Sequence, residues 1–138
     1  MLRGVTTIRL HADDLEAAKR WYTDVLGVAP YFDQPGYVEF RVGDFEQELG
    51  LLDSKYAAQL GHLDVTASQP AGAVAYWYVD DVPQAVERLV GMGATQLEKP
   101  WETPGGFTVA SVVDPFGNVL GVMYSPHYLD ILSATGKR

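Results

Sequence analysis

One pattern occurs twice along this chain: a strand-like alternation, an Asp-Asp pair, an amphipathic helical stretch closed by glycine, and three further strand-like runs. The first copy reads Asp13-Asp14-Leu15-Glu16-Ala17-Ala18 and closes at Leu26-Gly27. The second reads Asp80-Asp81-Val82-Pro83-Gln84-Ala85 and closes at Met92-Gly93. Repetition of a whole supersecondary unit removes most folds from consideration, because both copies must build the same local structure and differ only in loop length.

In the first copy, Ile8, Leu10 and Ala12 alternate with Thr7, Arg9 and His11, as in a half-buried strand. An aspartate at 13 or 14 offers an N-cap carboxylate. Leu15, Ala18, Trp21, Tyr22, Val25 and Leu26 then recur at helical spacing until Gly27 stops the helix. Strands are expected near Val28 to Phe32, at Tyr37 to Val42 and at Gln47 to Leu52, with turns at Gln34-Pro35-Gly36 and Gly43-Asp44. Residues 54–72 carry Gly61, Pro70 and Gly72 without sustained periodicity and read as a connector, with one helical turn around Lys55 to Leu60.

The second copy runs from a strand at Ala73 to Val79 through a helix with Pro83 in its first turn, where the missing N–H is harmless. Strands follow at Thr95 to Lys99, Thr108 to Val113 and Asn118 to Tyr124. The last two are joined by the turn Asp114-Pro115-Phe116-Gly117-Asn118. Ser125-Pro126 opens a short helical segment ending near Ala134. The organisation is therefore a first βαβββ module at 1–53, a connector at 54–72, a second module at 73–125 and a C-terminal extension at 126–138, one structural domain in all. The fold class is α+β: two tandem βαβββ modules forming a curled eight-stranded sheet with helices on the outer face and a cavity on the inner one.

Charge and composition narrow the partners. Eighteen acidic against ten basic side chains give a net charge of -8, which repels phosphate backbones, so nucleic acid is not expected as a partner. Zero cysteines exclude disulfides, thiolate metal sites and a cysteine nucleophile. Neither a long apolar run nor a charged-then-apolar N-terminus is present, and a cytoplasmic protein without membrane contact is the expectation.

The duplicated strand-Asp-helix-Gly pattern, the Trp21-Tyr22 pair and the Asp114 to Asn118 turn together resemble the glyoxalase, bleomycin-resistance and extradiol-dioxygenase superfamily, the vicinal oxygen chelate proteins. The resemblance covers nearly the whole chain. It implies a scaffold that hosts metal-dependent isomerases, lyases and dioxygenases as well as metal-free proteins that sequester antibiotics, commonly as homodimers. It also implies metal ligands early in the first strand and late in the last strand of each module. Here those positions hold Thr7, Gly50, Val74 and Gly121. A valine and two glycines offer no side-chain electron pair, whereas a bound ion needs oxygen or imidazole donors converging at about 2 Å. No metal or other cofactor is therefore expected. A divalent ion remains the alternative, at a displaced site drawn from His11, Glu39, Glu46, Glu48, His62 and His127.

Extending the alternation puts Thr7, Arg9, His11, Tyr37, Glu39, Arg41, Glu48, Gly50 and Leu52 on the inner face of the first module. In the second it puts Val74, Tyr76, Tyr78, Thr108, Ala110, Val112, Val119, Gly121 and Met123 there. Trp101, before the glycine-rich Thr103 to Gly106, is placed on a loop as a lid or stacking platform. The ligand-binding candidates are Arg9, His11, Tyr37, Glu39, Arg41, Glu48, Tyr76, Tyr78, Trp101 and Met123. One wall is ionisable and the other aromatic, which suits a small organic ligand, cationic or aromatic.

Each candidate also has a plainer role: His11 as a solvated or hydrogen-bonded histidine, Tyr76 and Tyr78 as ordinary sheet packing, Trp101 as a cap or subunit contact. Three functions stay open at this level. The first is a metal-free binding protein. The second is an enzyme, either metal-dependent or using Glu48 or Glu39 with His11 as acid and base. The third is an interaction subunit with a filled pocket.

Overall fold

The computed structural model describes residues 3, 5–59, 74–103 and 105–136. His62, Gly61, Pro70, Gly72 and Pro104 lie outside the described residues. The chain divides into two units, residues 1–69 and 70–138, each carrying one copy of the repeat.

In the first unit, β1 (Thr7–Ala12) leads into α1 (Leu15–Leu26), followed by β2 (Phe32–Gln34), β3 (Tyr37–Val42), β4 (Gln47–Asp53) and α2 (Ser54–Gln59). Asp14 is the N-cap of α1, its carboxylate accepting the Ala17 N–H at 3.0 Å. Gly27, at φ 69°, ends the helix in the left-handed conformation that glycine adopts without penalty. The second strand does not lie at Val28 to Phe32 but begins at Phe32. Its position is set by a tight Pro35-Gly36 turn, with Gly36 at φ 86°, which pairs Gln34 with Tyr37 and Phe32 with Glu39. The strand order is β1-β4-β3-β2, parallel between β1 and β4 and antiparallel elsewhere. Helix α1 packs on β1, β3 and β4. Ala12, Ala18, Tyr22, Val38, Phe40, Leu49 and Leu51 are buried there.

In the second unit, β5 (Tyr76–Tyr78) is followed by α3 (Val82–Gly91), β6 (Thr95–Glu102), β7 (Thr108–Val113), β8 (Val119–Tyr124) and α4 (Pro126–Ala134). Asp81 caps α3 through the Gln84 N–H at 3.0 Å, as Asp14 caps α1. The strand order β5-β8-β7-β6 repeats that of the first unit, again with one parallel pair. Val82, Val86, Leu89, Ala110, Val112, Leu120 and Val122 form the core beneath α3.

The turn between β7 and β8 is held by a buried carboxylate. Asp114 accepts the N–H groups of Phe116 and Asn118 at 2.9 and 2.8 Å and the Asn118 side-chain amide at 2.9 Å. Gly117, at φ 91°, completes it, and Val113 is thereby paired with Val119. That pairing corrects one expectation. Val109, Ser111 and Val113 share a face with Gly121, whereas Thr108, Ala110 and Val112 lie on the helix side. No helix among the described residues is long and apolar enough to cross a membrane.

Candidate functional site

With α1 covering one side of the first sheet, the other side carries the ionisable residues in rows fixed by strand register. Arg9, Gly50, Glu39 and Phe32 form one row, His11, Leu52, Tyr37 and Gln34 the next, and Thr7, Glu48 and Arg41 a third. All six candidates from this module thus share one face.

Glu39 is the hub. Tyr37 donates to its Oε2 at 2.7 Å and Tyr31 to its Oε1 at 2.5 Å, while the same Tyr31 hydroxyl lies 2.7 Å from Glu48 Oε2. A phenol has one proton, so Tyr31 shares it between two carboxylates. Arg41, the cross-strand partner of Glu48, places its guanidinium 4.4 Å from the centre of the Tyr31 ring. Burial and the Glu39 carboxylate push the Tyr37 phenol up to about 12. Tyr31 is raised as well, first by its bond to Glu39 and then by burial. His11 lies in the next row, with Leu52 and Tyr37, and its Nδ1 is 3.4 Å from Ser54 Oγ.

The second sheet carries a different chemistry on its corresponding face. Tyr76, Gly121, Ser111 and Glu98 form one row, and Tyr78, Met123, Val109 and Trp101 the adjacent one. Trp101 is therefore not on a loop. It belongs to β6, which continues past Pro100 because irregularities on either side of Glu98 let an edge strand carry a proline. Tyr76 and Trp101 are 44% and 56% exposed, so aromatic surface faces outward. Tyr78 is stacked on Tyr128 of α4 with ring centres 4.6 Å apart and planes 3° from parallel. Its hydroxyl donates to Asp80 at 2.8 Å, and burial together with that bond pushes it up to about 12.

Two glycines connect the faces to the question of a metal. At Gly50 a built Cβ would lie 2.8 Å from Tyr37 Cζ; at Gly121 it would lie 2.6 Å from Tyr76 Cδ1. In each sheet a tyrosine ring occupies the space into which a side chain at that position would project. The donors at Thr7, Gly50, Val74 and Gly121 do not fit a metal ion. Among the described residues no three of His, Asp and Glu converge. Of the displaced candidates, Glu46 is exposed in the turn after Gly43 at φ 52° and His127 is exposed at the start of α4.

Tyr31, Glu98, Ser111 and Tyr128 also belong to these faces, which the strand alternation alone does not predict. Tyr31 precedes β2, and Glu98 lies on an edge strand whose bulges break the alternation. Ser111 follows from the β7 register and Tyr128 from the fold-back of α4.

The family model for the Glyoxalase/Bleomycin resistance protein/Dioxygenase superfamily matches residues 4–122. A glyoxalase-related enzyme from Fulvimarina pelagi is 26% identical with a TM-score of 0.72, the match covering 91% of this chain and 90% of that one. Lactoylglutathione lyase from Agrobacterium tumefaciens is 27% identical with a TM-score of 0.65, covering 88% and 93%. A family enzyme from Burkholderia phytofirmans PsJN shares the fold at 18% identity and a TM-score of 0.71, covering 86% and 96%. No curated protein matches the chain.

Proposed function

Since this chain belongs to the glyoxalase, bleomycin resistance protein and dioxygenase superfamily, we propose that it acts within that family as a small-molecule binding protein without a metal centre, taking a flat aromatic ligand that carries positive charge. The carrying observation is the tyrosine ring seated over a glycine in both sheets, Tyr37 over Gly50 and Tyr76 over Gly121. A carboxylate ligand at either position would require that ring to leave. These rings add aromatic surface, and the exposed Tyr76 and Trp101 offer π-faces to a ring or a cation. The net charge of -8 favours encounter with cations.

The test is calorimetric titration of protein purified without chelators against flat aromatic cations, with Trp101→Ala as the control. Saturable binding lost in the variant supports the reading; no binding to any of them removes it. A homodimer is part of the same proposal, checked by light scattering in solution.

A second reading is acid–base catalysis, favoured by the Tyr31 hydroxyl held between Glu39 and Glu48. A carboxylate that accepts from two phenols could take a proton next to a carbonyl, and the phenols could donate to the developing oxyanion. The similar structures at 26% and 27% identity both carry enzyme names, which lends this reading weight. A Glu39→Gln variant that binds a carbonyl ligand as wild type does, but no longer exchanges its α-proton with solvent, is its expected sign. Exchange at the wild-type rate would dismiss it.

A further inference from the structure

We propose that Glu98, held in place by Ser111, is the residue of the second sheet that selects a cationic aromatic ligand over a neutral one. This rests on reading that sheet face as the ligand-binding surface.

Ser111 is 1% exposed, and its hydroxyl donates to Glu98 Oε2 at 3.1 Å. A buried hydroxyl must bond to something, and here its partner is a carboxylate that would otherwise swing freely on an edge strand. The bond keeps Glu98 over the face, in the row that contains Gly121 and Tyr76 and next to the row that ends in Trp101.

The two sheets treat their acids differently. In the first, Glu39 and Glu48 share rows with Arg9 and Arg41 and accept from two tyrosines. In the second, Glu98 accepts from a serine, and its row, made up otherwise of Tyr76, Gly121 and Ser111, holds no lysine or arginine. Strand order matches Glu98 to Phe32 of the first copy and Ser111 to Glu39, so this acid has no counterpart in the repeat.

An anion with no lysine or arginine in its row, sharing that row with outward-facing Tyr76 and next to the row of Trp101, supplies what a cationic ring system needs: π-faces for the ring and a carboxylate for the charge. Stacking serves neutral and charged rings alike. Discrimination between them therefore falls to Glu98.

The experiment uses two probes of nearly equal shape, N-methylphenanthridinium and neutral phenanthridine, titrated calorimetrically into the full chain and into Glu98→Gln and Ser111→Ala. Wild type should bind both, the cation more tightly. Glu98→Gln should weaken the cation about fivefold, the upper end for a solvent-accessible charge pair, and leave the neutral ring unchanged. Ser111→Ala should move the cation in the same direction by less. Equal loss for both probes, or no loss for either, would overturn the role of Glu98 while leaving the ligand face standing. Binding of neither probe to wild type would overturn both.

Discussion

The hydroxyl end of the Tyr37 ring lies across Gly50, so close that a Cβ on the glycine would sit 2.8 Å from Cζ, and the same hydroxyl donates to Glu39. Gly50→Ala should therefore cost about 1–3 kcal/mol, the range for overpacking, although alanine in a strand ordinarily gains on glycine by about 0.5–1 kcal/mol. In a Tyr37→Ala background the same change should be neutral or stabilising, a coupling that chemical denaturation of the four-member cycle would read directly.

Gly121 meets the body of Tyr76, whose side chain is half exposed and can rotate away. Gly121→Ala should cost less, below about 1 kcal/mol, because the neighbour yields. The consequence is functional instead: Tyr76 leaves the face, and affinity for a flat aromatic cation should fall with little change in the denaturation midpoint.

The buried Asp114 carboxylate satisfies three N–H donors in the turn between β7 and β8. Asp114→Ala removes this acceptor from all three. A loss of about 2–4 kcal/mol is expected, with each unsatisfied donor that water cannot reach costing about 1–3 kcal/mol, and equilibrium denaturation checks it.

Much of this architecture is local and was readable residue by residue. Asp14, Asp81 and Gly27 cap their helices where a helical stretch meets a short polar or a glycine residue, signals contained within one turn. The register of β7 was not readable, because Thr-Val-Ala-Ser-Val-Val has no contrast between its two faces. The pairing of Val113 with Val119 settles it, and with it the placing of Ser111. Pro100 and the glycines at 105 and 106 signal a loop around Trp101, but a bulged edge strand accommodates the proline and ends before the glycines. Six ionisable and polar candidates of the first sheet share a face as the alternation implied. The Tyr31 bridge depends on side-chain reach across three strands, which no short window of sequence encodes.

The raised Tyr37 phenol gives a pH dependence of definite sign. Its proton is held to about 12 in the folded chain against 10.0 for an ordinary tyrosine, so the unfolded chain ionises first. The stability this group contributes is complete below pH 10 and is lost as pH rises from 10 toward 12. Wild type should show a steeper fall in denaturation midpoint above pH 10 than Tyr37→Phe. Parallel curves would show that the phenol ionises alike in both states.

The binding proposed here does without a metal. The most direct measurement is elemental analysis of protein purified without chelators, combined with the affinity for N-methylphenanthridinium before and after exhaustive dialysis against EDTA. Substoichiometric iron, zinc, nickel and manganese with an unchanged Kd is the result predicted. A stoichiometric metal, or an affinity lost on chelation and restored by adding an ion back, would contradict it.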